Sequence, residues 1–133
     1  EEADLKARSL SVLETVGIAD YASLKAANLP LGEQKLLEVA RALASEPQLL
    51  LLDEPAAGLN EVETQKAAEM IMGLSETGVT VILVEHDMKM VMAISHEILV
   101  LNYGAKIAEG PPASIRTDPG VIKAYLGDEE SGS

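Results

Sequence analysis

Two stretches of this chain set acids at the ends of apolar runs. In QLLLLDEP, residues 48–55, four leucines lead straight into Asp53, Glu54 and Pro55, and in VTVILVEHD, residues 79–87, an aliphatic run ends on Glu85, His86 and Asp87. Two charges directly after LLLL and before a proline are more than a strand's polar ending. Two carboxylates and an imidazole, brought to one place, suit a hydrated divalent cation, a general base and a contact to an anion or a reacting water. A third stretch, LPLGEQKLLEVARAL at residues 29–43, puts Gly32 at the start of an amphipathic helix. Free N–H groups and the positive end of the helix dipole make such a start a ready anion site.

These residues meet only if the elements that carry them return to one edge. Apolar spacing predicts a helix over residues 33–45, about 20 Å long at 1.5 Å per residue, stopped by Pro47. A strand over residues 48–53 returns roughly the same distance in the opposite sense. Its unbroken apolar run reads as a parallel strand buried on both faces. A helix over residues 61–77 and a second buried strand follow, so strand, helix and strand form a βαβ unit with parallel strands. The loop from Pro30 to Gly32 then lies toward the same sheet edge as Asp53, Glu54 and His86, the carboxyl edge where open α/β sheets bind ligands. His96, in ISHEIL, has no such company and reads as structural or solvent-facing.

Outside this unit, residues 5–16 read as a helix capped by Gly17, with a short turn over residues 20–24. Residues 88–95 form a methionine-rich helix whose methionines read as core filler. HEILVLNYGAKIAEG reads as two strands around NYGA, and residues 111–117 and 119–126 as short helices with proline near each start. GDEESGS has the composition of a disordered end or cloning remnant. No internal repeat is visible.

At 133 residues and 47% apolar content, the chain fits one domain with a core. With three tyrosines, no Phe and no Trp, that core is aliphatic, which argues against base stacking on single-stranded nucleic acid. A formal charge of −12 disfavours nucleic acid and anionic lipid as direct partners. The absence of cysteine excludes disulfides, thiolate metal sites and a cysteine nucleophile. No apolar run approaches the roughly 20 residues that span a bilayer, and EEADLKARSL lacks a signal-peptide profile. The first residue is not Met, which fits a piece of something longer.

Taken together, the three stretches resemble the ATPase subunits of ABC transporters. LLLLDEPAAGLN resembles their Walker B segment and D-loop, VILVEHD their switch-histidine strand and LPLGEQKLLEVARAL their signature segment, in the family's order. The resemblance implies an α/β fold: the C-terminal part of a P-loop NTPase domain over residues 1–127, with parallel strands, flanking helices, a C-terminal β-hairpin and short helices, and a tail at residues 128–133. It implies ATP and Mg²⁺ in the complete protein, and a second ATPase subunit, identical or not, facing the first. It implies transmembrane permease subunits and a peripheral place on the cytoplasmic face of the inner membrane. Residue by residue, Asp53 would hold Mg²⁺, Glu54 would polarise the attacking water, and His86 would contact the γ-phosphate. Gly32, Glu33 and Gln34 of the signature and Asn60 of the D-loop would face nucleotide held across the dimer. AAGLN, EHDMKMVMAIS and GPPASIRTDPGVIKAYLG look like the ATPases of branched-chain amino-acid importers, with lipopolysaccharide-export ATPases the second likeness.

The sequence also departs from the family. No Gly-x-x-x-x-Gly-Lys-Ser/Thr run occurs in it, so the chain alone is expected to bind ATP and Mg²⁺ weakly, hydrolyse little, and self-associate through faces a missing half would cover. That lack leaves a degenerate regulatory or structural module as a competing reading. The family's signature serine is Pro30 here, without hydroxyl or N–H, its glutamine is Glu33, and Asn60 stands where many members carry Asp.

Overall fold

A computed structural model describes residues 1–126; the expected tail at residues 128–133 lies outside them. The chain forms two compact units, Glu1–Glu85 and His86–Ser133.

In the first unit, α1 (Glu2–Val16) ends where Gly17 takes a left-handed conformation, φ 83°. The Gly17 and Ile18 N–H groups turn back to the carbonyls of Glu14 and Leu13, which closes the helix end. After single 3₁₀ turns at Ala19–Tyr21 and Ala26–Asn28 comes α2 (Leu31–Leu43). It starts two residues earlier than the apolar spacing predicts, because Pro30 already supplies the extended N-cap backbone and its carbonyl accepts from the Gln34 N–H. β1 (Leu49–Asp53), α3 (Glu61–Glu76) and β2 (Thr80–Val84) complete the expected βαβ unit. The strands pair in parallel, Leu49 opposite Thr80 through Asp53 opposite Val84.

The core of this unit joins all three helices to one sheet face. Val16 and Ile18 meet Leu36, Val39 and Ala40 of α2, Leu74 of α3 and Leu50 of β1, with Leu52, Val79 and Val81 packed against them. The expectation that β1 is buried on both faces fails. Leu50 is 4% exposed but Leu51 is 67% exposed, and Leu49, Ile82 and Val84 share its outward face and its exposure. Alternate side chains of a strand point to opposite faces, and the packed helices cover one of them.

The second unit begins with α4 (Met88–Ile94), whose first turn is capped by Asp87 Oδ1 accepting from the Met90 N–H at 3.1 Å. β3 (Ile98–Asn102) and β4 (Ala105–Gly110) form the expected antiparallel hairpin. Tyr103 and Gly104 turn it with φ 48° and 77°, the double positive φ of a two-residue hairpin loop. An irregularity between Val100 and Leu101 shifts the register by one residue. α5 (Pro112–Arg116) and α6 (Pro119–Val121) each carry proline in the first turn, and Asp118 caps the second by accepting from Gly120 and Val121. A single π turn, Ile122–Leu126, replaces the rest of the expected last helix. Ile98, Val100, Ile115 and Val121 make the core, filled out by Met88 and Met92 as their composition suggests.

The two faces of β1 predict opposite outcomes for neighbouring leucines. In the 133-residue chain, Leu50→Ala should cost about 2–5 kcal/mol by leaving a cavity. Leu51→Ala should cost less than about 1 kcal/mol, since it removes a solvated side chain. Urea unfolding of the two variants checks the contrast.

Candidate functional site

Asp53 ends β1 on the exposed face, opposite Val84, and the next residue leaves the strand. Glu54 has φ 47°, the left-handed region that a side chain disfavours. A non-glycine residue held there costs about 1–3 kcal/mol and persists only where its surroundings impose it. The imposing bonds are identifiable. The Glu54 N–H donates to the Val84 carbonyl at 2.7 Å, extending the parallel ladder one step past the strand. The Glu54 carbonyl accepts from the Ala57 N–H at 3.1 Å, closing a tight turn with Pro55 as its second residue. Between them the Ala56 N–H donates to Glu85 Oε2 at 3.1 Å.

The loop then turns again, with the Leu59 N–H on the Ala56 carbonyl and Gly58 at φ 79°. Asn60 begins α3 with a reciprocal cap. Its Oδ1 accepts from the Glu63 N–H at 2.8 Å, and its own N–H donates to Glu63 Oε1 at 3.4 Å. Asn at N-cap with Glu three positions on gives two otherwise unpaired donors a partner.

Gly32 sits buried in the first turn of α2, under this loop. A Cβ at Gly32 would collide with Glu63 Oε2, the second oxygen of the carboxylate that closes the α3 cap. A Cβ at Gly58 would come within 3.0 Å of Leu31 Cδ2. Both glycines are therefore positions of close approach between the start of α2 and the loop after β1. Glu33 and Gln34 follow in the same turn, half-buried. The Gln34 side-chain amide is committed locally, donating to the Leu29 carbonyl at 2.9 Å. It thereby ties down the turn in which Pro30 stands, a start that no side-chain bond caps among the described residues.

The first unit thus sets Gly32, Glu33 and Gln34 in one helix start and Asp53, Glu54 and Asn60 along the loop after β1, and the two elements approach each other at Gly32 with Glu63 and at Gly58 with Leu31. His86 is an exposed residue at the head of the second unit, separated from the end of β2 by Glu85 alone, and His96 is exposed in that unit as well. Two residues were given no role by the sequence alone, although Glu85 was already placed at this edge. Glu63 was signalled by the Asn-x-x-Glu spacing of a capping box. Glu85 was signalled only by its place at the strand end, and its partner Ala56 lies 29 residues away. Among the described residues no three His, Cys, Asp or Glu side chains gather as a metal cage. The exposed carboxylates of Asp53 and Glu54 fit an ion that keeps several waters and takes one or two carboxylates beside phosphate oxygens, as Mg²⁺ does.

Residues 1–57 match the family model described as ABC transporter, and residues 105–131 match that of the branched-chain amino acid ATP-binding cassette transporter. LivG of Escherichia coli, a high-affinity branched-chain amino acid transport ATP-binding protein, is 47% identical over 122 residues, 91% of this chain and 48% of LivG. BraF of Pseudomonas aeruginosa, described in the same words, is 51% identical over 117 residues, 87% of this chain and 46% of BraF. The chain thus spans about half the length of these relatives. A crystal structure of an ATP-binding cassette of an ABC transporter in its ADP conformation superposes with a TM-score of 0.81 at 28% identity, covering 91% of this chain and 49% of that one. The sequence motifs, the βαβ fold and these matches agree: the chain belongs to the ABC transporter family, as the C-terminal portion of its ATPase domain.

Proposed function

We propose that this chain is the signature and Walker B half of the ATP-hydrolysing subunit that powers an importer of branched-chain or other hydrophobic amino acids. The observation that carries the proposal is the pair Asp53 and Glu54 at the carboxyl end of a parallel strand, with Glu54 held in a left-handed conformation by its bond to Val84 of β2 and the turn bond from Ala57. Strand ends of this kind receive ligands in open α/β sheets, and backbone held against its preference collects at functional sites. The names of LivG and BraF support the transport role and the class of cargo.

In this reading Asp53 would hold hydrated Mg²⁺, which would supply positive charge to offset that developing on the phosphoryl oxygens. Glu54 orients and polarises the water that attacks, and His86 contacts the γ-phosphate. Gly32, Glu33, Gln34 and Asn60 face the nucleotide of a second ATPase subunit. Gln34 contributes by fixing the turn before α2 rather than by reaching outward. Glu33 must point its carboxylate away from phosphate for this face to accept an anion. Permease subunits are the membrane partners, on the cytoplasmic side, and no described helix is long and apolar enough to cross a bilayer itself. The backbone cradle and lysine of a phosphate loop are not encoded in these 133 residues.

Three outcomes are expected. The 133-residue chain titrated with Mg·ATP should show no turnover above background; turnover that disappears in Glu54→Gln would make it self-sufficient and refute the division of labour. In the full-length polypeptide that carries this segment, Glu54→Gln should leave ATP binding intact and lower kcat by about 10²–10⁴-fold, the range of a lost general base. An unchanged kcat removes Glu54 from the role. The isolated chain should also self-associate through the bare face of Leu49, Leu51, Ile82 and Val84. Sedimentation velocity should find smaller species after Leu51→Lys, and equal association by both chains would exclude this face.

A further inference from the structure

The tight turn after β1 places three backbone N–H donors close to Glu54, and each has a partner. Glu54 donates to Val84 across the strand pair and Ala57 donates back to Glu54. Pro55 has no N–H. The remaining donor, Ala56, is taken by the side chain of Glu85. The last backbone rung joins Glu54 to Val84, and Glu85, the residue after β2, reaches across with its carboxylate where the backbone ladder has ended. Two consecutive residues, the last of β2 and the one after it, thus grip two residues of the turn, Glu54 and Ala56. A charged acceptor makes the second grip the stronger kind of hydrogen bond.

From this geometry we infer that Glu85 is a positioning residue for Glu54: it sets the turn from which the Glu54 carboxylate is aimed without itself touching the nucleotide. The inference rests on the reading of Glu54 as the water-polarising group and adds a second requirement to it. Glu54 sits in a conformation that an unconstrained chain leaves, so its side chain is aimed only while both ends of the turn are held. Releasing the Ala56 N–H frees one of them. A general base displaced by about 1 Å loses on the order of 10²-fold in rate, while substrate binding elsewhere in the site is unaffected.

The test compares Glu85→Ala, Glu85→Gln and Glu54→Gln in the full-length polypeptide that carries this segment. Glu85→Ala should lower kcat roughly 10- to 100-fold with the Kd for ATP unchanged. Glu85→Gln, whose amide oxygen still accepts from Ala56, should recover most of that loss. Adding Glu85→Ala to Glu54→Gln should lower kcat no further, because the group being aimed is already gone. A kcat for Glu85→Ala equal to wild type, a glutamine variant as impaired as the alanine one, or full additivity with Glu54→Gln each overturns the inference. A weakened Kd in both Glu85 variants would mark Glu85 as a general structural support and overturns it too. If Glu54→Gln itself leaves kcat unchanged, the underlying reading fails, an outcome separate from any result at Glu85.

Discussion

The parallel pairing of β1 with β2 is the constraint on which the first unit depends. Parallel neighbours cannot be joined by a tight turn, so the chain must travel back along the sheet before β2 begins, and α3 makes that journey. The return forces both strands to finish at the same edge. Asp53 and Glu54 leave β1 there and Glu85 leaves β2 there, which is why residues far apart in sequence bond across the gap. The same return packs α3 over Leu50 and Leu52, so core and site are two products of one topology.

The loop between β1 and α3 is fastened on two sides. Toward β2 it is held by polar bonds to Val84 and Glu85; toward α2 it is held by contact, Gly58 against Leu31 and Gly32 against Glu63. Glu63 joins the second fastening to the helix cap, since one carboxylate oxygen receives the Asn60 N–H and the other lies over Gly32. The starts of α2 and α3 therefore meet at one carboxylate. Two stretches that the family resemblance assigns to nucleotide recognition lie against each other here within one chain.

Much of this was readable from residue order. The periodicities of residues 33–45 and 61–77 gave the helices, proline and glycine gave the stops, and the acids after LLLL marked the strand end from which the candidate site is built. Periodicity failed where the question was what lies on the far side. Four consecutive leucines look alike whether one face or both are covered, and only the packing distinguishes Leu50 from Leu51. Contacts that depend on two elements meeting were equally hidden. The side chain that comes closest to Gly32 belongs to Glu63, 31 positions later by the numbering, and neither residue type announces the other. The bond from Ala56 to Glu85 required the strand register before it could be drawn.

The backbone at Glu54 carries an evolutionary consequence. A left-handed φ of 47° is natural for glycine and tolerable for asparagine, so selection for folding alone would erode the carboxylate at this position toward a residue that lets the turn relax. If Glu54 has the role proposed for it, substitutions that relax the turn and substitutions that remove the carboxylate point the same way. A lineage that ceased to need the reaction would then find the loss of this glutamate favoured by the backbone itself.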